Sequence, residues 1–188
     1  MTLEEVRREI DALDPEIREL LMERLDLTFR VIEAKRDAGD LRIYRPDREE
    51  EILKRLGRDV EKERKAPYLA MVRKIMETSR MYQYGLLYDW AGGLFADMTD
   101  GLVLPERPEC VRVRLTRQDR PGSMASVLGM VGDYGFNMKS MTQLEEDPEK
   151  GKVTFELVIR GDLYEEPMRK LMFQLSMECE NFKITEVF

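Results

Sequence analysis

The sequence predicts an α + (α+β) chain: three helices first, then a βαββαβ domain. Three observations predict it. Apolar residues recur at an alternating three-four spacing over the first part of the chain. Beyond residue 110 the period changes to two. Between the two patterns lies a glycine- and proline-bearing stretch with no period at all.

The first helix is expected from Leu3, Val6, Ile10, Leu13, Ile17 and Leu20, continuing through Leu27, Val31 and Ala34 as one seam packed against other helices. Pro15 removes one internal hydrogen bond, so either a kinked long helix or two short ones fits, and the unbroken seam favours the kink. Gly39 to Pro46 interrupts the pattern. Asp47 with Glu50 then makes a start signal for a second helix through Ile52, Leu53, Leu56 and Val60. A third helix is expected from near Pro67, with Tyr68, Val72, Ile75, Met76, Ser79 and Gln83 on one face. Three such open helices cannot cover their seams alone, which predicts a homodimer or a higher homo-oligomer. The domains read as 1–91 and 110–188, with a linker at 92–109. Tyr88, Trp90 and Phe95 make its approach apolar enough to pack on one of the domains.

In the second half Val111, Val113 and Leu115 alternate with Arg112 and Arg114 as a half-buried strand. Pro121-Gly122 turns into a helix bearing Met124, Val127, Leu128 and Val131, closed by Gly135. Strands follow at Phe136 to Leu144 and over Val153, Phe155, Leu157 and Ile159. A helix with Met168, Leu171, Met172 and Leu175 precedes a last strand, Phe182 to Phe188. This is the ferredoxin-like plan.

The composition narrows the chemistry. A net charge of −7 supplies no basic excess for nucleic acid. The first residues lack the apolar core of a signal peptide, and no run is long enough for a membrane span. Two distant cysteines, Cys110 and Cys179, suggest neither a disulfide framework nor a metal site, and a cytoplasmic location follows most simply. With no histidine, catalysis must rest on Lys, Arg, Glu, Gln and backbone groups, and no cofactor is called for.

Polar residues interrupt the helical stripes. Arg24 sits between Leu20 and Leu27, and an arginine in a packed seam needs a carboxylate partner or an anionic ligand. Lys35 returns to nearly the same face eleven residues later, roughly 16 Å along the axis. Ser79 and Gln83 break the apolar face of the third helix. Singly, each is more often a paired structural residue. Jointly they describe a pocket for a compact dianion.

The stretches LEEVRREIDALD, LLMERLDLTFRVIEAK, IYRPDREEEIL and METSRMYQ resemble the AroQ class of chorismate mutases over residues 3 to about 87. The resemblance implies conversion of chorismate to prephenate by a Claisen rearrangement. It places carboxylate binding on Arg7 and Arg24 and ether-oxygen donors on Lys35 and Gln83. It sets Arg48 and Glu49 as an Arg-Glu pair whose glutamate meets the substrate hydroxyl, and Ser79 as a further pocket residue. Arg7 precedes Lys35 by 28 residues, roughly 42 Å along one helix, so the resemblance implies that Arg7 serves the partner's pocket in an interlocked dimer. Two departures stand out: Arg45 replaces an acidic residue common in the family, and the loop from Arg36 to Ile43 is one residue longer.

The segment VRVRLTRQDRPGSMASVLGMVGDYGFNMKSM resembles the ACT regulatory domain, over about residues 110–188. It implies an amino-acid effector, phenylalanine or tyrosine by pathway. The turn into the helix would offer backbone N–H groups of Gly122, Ser123 and Met124 to its carboxylate, with Asn137 meeting the amino group. Two other functions remain: an amino-acid sensor of weak catalytic power acting on another shikimate-pathway enzyme, and an isochorismate-pyruvate lyase.

Overall fold

The computed structural model describes residues 1–91, 96–147 and 149–188. The chain divides into two compact units, Met1–Gln83 and Tyr84–Phe188. The division falls inside the third helix, ahead of the boundary expected at residue 91. The expected linker begins in residues 92–95, which lie outside the described residues together with Phe95.

Helix α1 (Leu3–Asp37) is one continuous helix with Pro15 inside it, so the two-short-helices alternative does not hold. Its start is fixed by a capping box: the Thr2 hydroxyl accepts the Glu5 N–H at 3.2 Å, and the Glu5 carboxylate accepts the Thr2 N–H at 2.6 Å. Glu4 and Glu5 at the start, with Lys35 and Arg36 at the end, suit the helix dipole.

The expected burial of the whole seam does not hold within one chain. Residues from Arg7 to Leu20 are all exposed, and Leu20 keeps 66% of its surface. Only Thr28 and Ile32 are buried on α1. The N-terminal part of the helix therefore stands clear of the other two, which cover its C-terminal third.

Helix α2 (Pro46–Leu56) begins one residue before the expected cap, with Arg45 at the cap position and Pro46 in the first turn. Asp47 therefore lies inside the helix rather than capping it. It ends at Gly57, so Val60 falls outside. A side chain at Gly57 would press to 3.1 Å of the Leu53 carbonyl oxygen and 3.2 Å of Lys65 Cε. Helix α3 (Lys62–Ala91) starts earlier than expected, with Pro67 within it. Its inward face in the first unit is Val72, Met76, Ser79, Arg80 and Gln83, all buried.

The second unit carries β1 (Cys110–Gln118), α4 (Ser123–Asp133), β2 (Asn137–Asp147), β3 (Lys152–Arg160), α5 (Glu166–Glu178) and β4 (Glu180–Val187). The strands form one antiparallel sheet in the order β2-β3-β1-β4. Val113 lies opposite Leu157 on one side and Ile184 on the other, and all three are fully or almost fully buried. Val127, Leu171, Met172 and Leu175 cover this face. The alternate residues form cross-strand ion pairs: Arg112 reaches Glu156 at 2.6 Å and Glu186 at 2.9 Å. Tyr84 and Tyr88, at the end of α3, meet the Phe173 ring edge-on at centroid distances of 6.4 and 5.8 Å, which gives Tyr88 the packing role expected of it.

Candidate active site

The first unit forms an open cavity of about 630 Å³ between α1, α2, α3 and the residues leading into α2. Helix α1 supplies Arg24, Thr28, Val31 and Lys35, a four-three-four spacing that keeps one face. Helix α3 supplies Met76, Ser79, Arg80 and Gln83 on the same principle. Ile43, Arg45, Arg48, Glu49 and Ile52 complete the wall. Of the residues singled out from sequence, Arg24, Lys35, Arg48, Glu49, Ser79 and Gln83 thus share one cavity. Arg7 does not reach it, because α1 carries it roughly 42 Å from Lys35 along a single axis.

The polar contacts show how each group is held. A guanidinium nitrogen of Arg24 donates to the Ser79 hydroxyl, which in turn donates to the Ile75 carbonyl at 2.7 Å. Lys35 Nζ donates to the Arg42 carbonyl at 2.8 Å. Neither Arg24 nor Lys35 makes an ion pair with a carboxylate among the described residues. Gln83 donates to the Ser79 carbonyl at 3.3 Å, while its own amide oxygen is buried without a partner. Arg45 pairs with Asp40, Arg48 with Glu51 at 3.6 Å, and Arg80 with Glu49.

The lining therefore contains five cations and one carboxylate. Burial draws the Arg24 guanidinium below its ordinary value. Lys35 is also lowered, first by burial and next by the Arg45 charge, with Asp40 pulling it back up. Three of the five cations are ion-paired, Arg45 with Asp40, Arg48 with Glu51 and Arg80 with Glu49, and the positive excess that Arg24 and Lys35 add is suited to an anion.

Sequence reasoning missed Arg80. It follows Ser79 directly and is only 5% exposed, although a charged residue beside a helical stripe normally faces water. Arg45, which departs from the family pattern, is also part of the wall.

In the second unit, Gly122 precedes α4 with φ of +82°, a conformation glycine adopts readily. The expectation of free N–H groups there needs one correction. The Ser123 N–H donates to the Arg120 carbonyl at 3.1 Å, closing the turn, and its hydroxyl is buried against Arg117 at 3.4 Å. Asn137 lies exposed at the start of β2, opposite Arg160.

Residues 6–84 match the family model described as chorismate mutase type II. The helical unit is thus similar to chorismate mutase type II. Chorismate mutase is an isomerase, and the matched stretch takes in every cavity-lining residue. No curated protein matches the chain. Among solved structures, one titled "GqqA- a novel type of quorum quenching acylases" is 20% identical with a TM-score of 0.41. That similarity covers 45% of each chain, so this chain spans less than half of that protein's length. Among the described residues no helix is long and apolar enough to cross a membrane.

Proposed function

We propose that the chain converts chorismate to prephenate, as a cytoplasmic homodimer whose second unit is an ACT-type domain responding to an aromatic amino acid. One observation carries the catalytic reading. Arg24, Lys35 and Gln83 face one cavity, and the two cations are held by neutral oxygens rather than by carboxylates. A neutral partner keeps a cation's position without cancelling its charge, so a dicarboxylate gains the full attraction on entering.

The rearrangement breaks one C–O bond as one C–C bond forms, with no proton transfer and no nucleophile. Arg24, with Arg7 from the partner subunit, would hold the two carboxylates and select the folded conformer. Negative charge grows on the ether oxygen as the C–O bond lengthens. Lys35 and the remaining N–H of the Gln83 amide would meet that charge, binding the transition state better than the substrate. Glu49 would accept from the substrate hydroxyl, with Arg48 beside it and Ser79 holding Arg24 in place.

The exposed apolar stretch of α1 supports a dimer, because that much apolar surface needs covering. Buried, unpaired Cys110 and Cys179 suit a reducing compartment. For the effector, the turn at Gly122 and Met124 offers backbone donors of the right type, Ser123 contributing the turn itself; Asn137, level with Cys110 at the other end of the sheet, would have to meet the effector from a second copy.

The test is to follow chorismate loss by purified protein with and without Phe, Tyr or Trp, and to identify the product. Prephenate formation altered by one amino acid is the expected result. Unchanged chorismate, or pyruvate as the product, would overturn the catalytic reading.

A further inference from the structure

We propose that Arg80 is a positioning residue that fixes the Glu49 carboxylate for a hydroxyl-bearing dicarboxylate in the cavity. This rests on reading that cavity as a chorismate site. Arg80 links two helices of the wall to the residue ahead of α2 that backs them. It is carried by α3, its guanidinium donates to Glu49 Oε1 on α2, and its Cζ lies 4.7 Å above the Tyr44 ring ahead of α2. Its side chain is 6% exposed and that of Glu49 is 24% exposed. Flanked on one face by an aromatic ring and held at one edge by a carboxylate, the planar group has little freedom to turn.

The arrangement answers an electrostatic problem. Glu49 is the one acidic side chain among the described residues of the lining, in a pocket suited to a dianion. Two further negative charges beside an uncompensated carboxylate would repel it or drive a proton onto it. A protonated Glu49 would be a poorer acceptor for a ligand hydroxyl. The Arg80 charge opposes both effects, and its grip on Oε1 sets the direction of the carboxylate. Lysine in its place would keep the charge but lose the flat stacking surface. A plain structural pin between α2 and α3 would use the same contact, so the test must separate the two roles.

The measurements are kcat/KM against pH for the unaltered chain, Arg80→Gln, Arg80→Lys, Glu49→Gln and the double variant Arg80→Met with Glu49→Gln. The acid limb should rise by roughly one pH unit or more in Arg80→Gln. It should stay near its original place in Arg80→Lys. Loss of Arg80 should cost about tenfold or more with Glu49 present and far less with Glu49→Gln. An unmoved acid limb, or an equal loss in both backgrounds, would overturn the proposal. Should Arg80→Gln fail to fold, Arg80→Lys compared with the double variant, which leaves no lone buried charge, decides it instead. Carbon-13 NMR titration of Glu49 in the ligand-free protein gives a reading independent of turnover. An upward shift on losing Arg80 supports the coupling, and no shift refutes it. Absence of turnover in the unaltered chain would count against the proposed activity alone.

Discussion

Arg24 and Lys35 are the residues on which the proposed chemistry can be tested most directly. Each is held by a neutral oxygen, so truncation leaves no protein carboxylate stranded, and the loss reports on the ligand. Arg24→Ala or Lys35→Ala should lower kcat/KM by about 3 kcal/mol or more, the scale of one preorganised donor to a developing anion. Near-normal turnover by either variant would refute the assignment. Lys35 must be protonated to donate. Its value lies below that of free lysine, so the ammonium persists below that lowered value and disappears as pH rises through it. The alkaline limb of activity should therefore arrive sooner than an ordinary lysine would give. Arg45→Gln should move that limb upward and Asp40→Asn downward, because the two charges act on Lys35 in opposite senses. A pH series showing the reverse order would contradict the role of Lys35. At this scale Arg24, Lys35, Ser79 and Gln83 were legible because each interrupts an apolar stripe. Arg80 was not, since its burial depends on Glu49, 31 positions away, and on the ring of Tyr44, contacts that no local period records.

Elements were easier to read than their ends. Strand β1 was legible because apolar residues alternate with charges, and cross-strand pairs such as Val113 with Leu157 keep that alternation in register. The ends of α2 and α3 were misread for a physical reason. Pro46 prefers the first turn of a helix, which made Asp47 an interior residue. Pro67 interrupts only one hydrogen bond near the start of a 30-residue helix, so α3 tolerates it instead of beginning there. Gly161, after β3, shows how tightly one such end is specified. It has φ of +146°, and an added Cβ would lie 2.7 Å from Met168 Cε and 2.8 Å from the Phe136 ring. Gly161→Ala should destabilise the protein by about 2 kcal/mol, read as a lowered denaturation midpoint at unchanged slope. An unaltered midpoint would mean that the ring and the methionine yield freely.

For the whole molecule, sequence revealed that α1 must be covered but not by what, because a periodic apolar face carries no address. Within one chain its N-terminal residues stay exposed. In the proposed interlocked dimer, each site takes Arg7 from one chain and Lys35 from the other. Arg7→Ala and Lys35→Ala chains, each nearly inactive alone, should therefore recover activity when unfolded and refolded together. Random pairing leaves half the dimers mixed, each with one intact site, so about a quarter of the normal activity should return. Recovery of none would remove Arg7 from the partner's site, since one helix already keeps it from Lys35 of its own chain.

The uncovered stretch of α1, from Arg7 to Leu20, bears on more than the site. A 35-residue helix that lies open along so much of its length has few neighbours within its own subunit to keep it wound. Its persistence would then be a property of the solution as well as of the sequence: concentrated protein should melt at a higher temperature than dilute protein, since assembly and folding draw on the same surface.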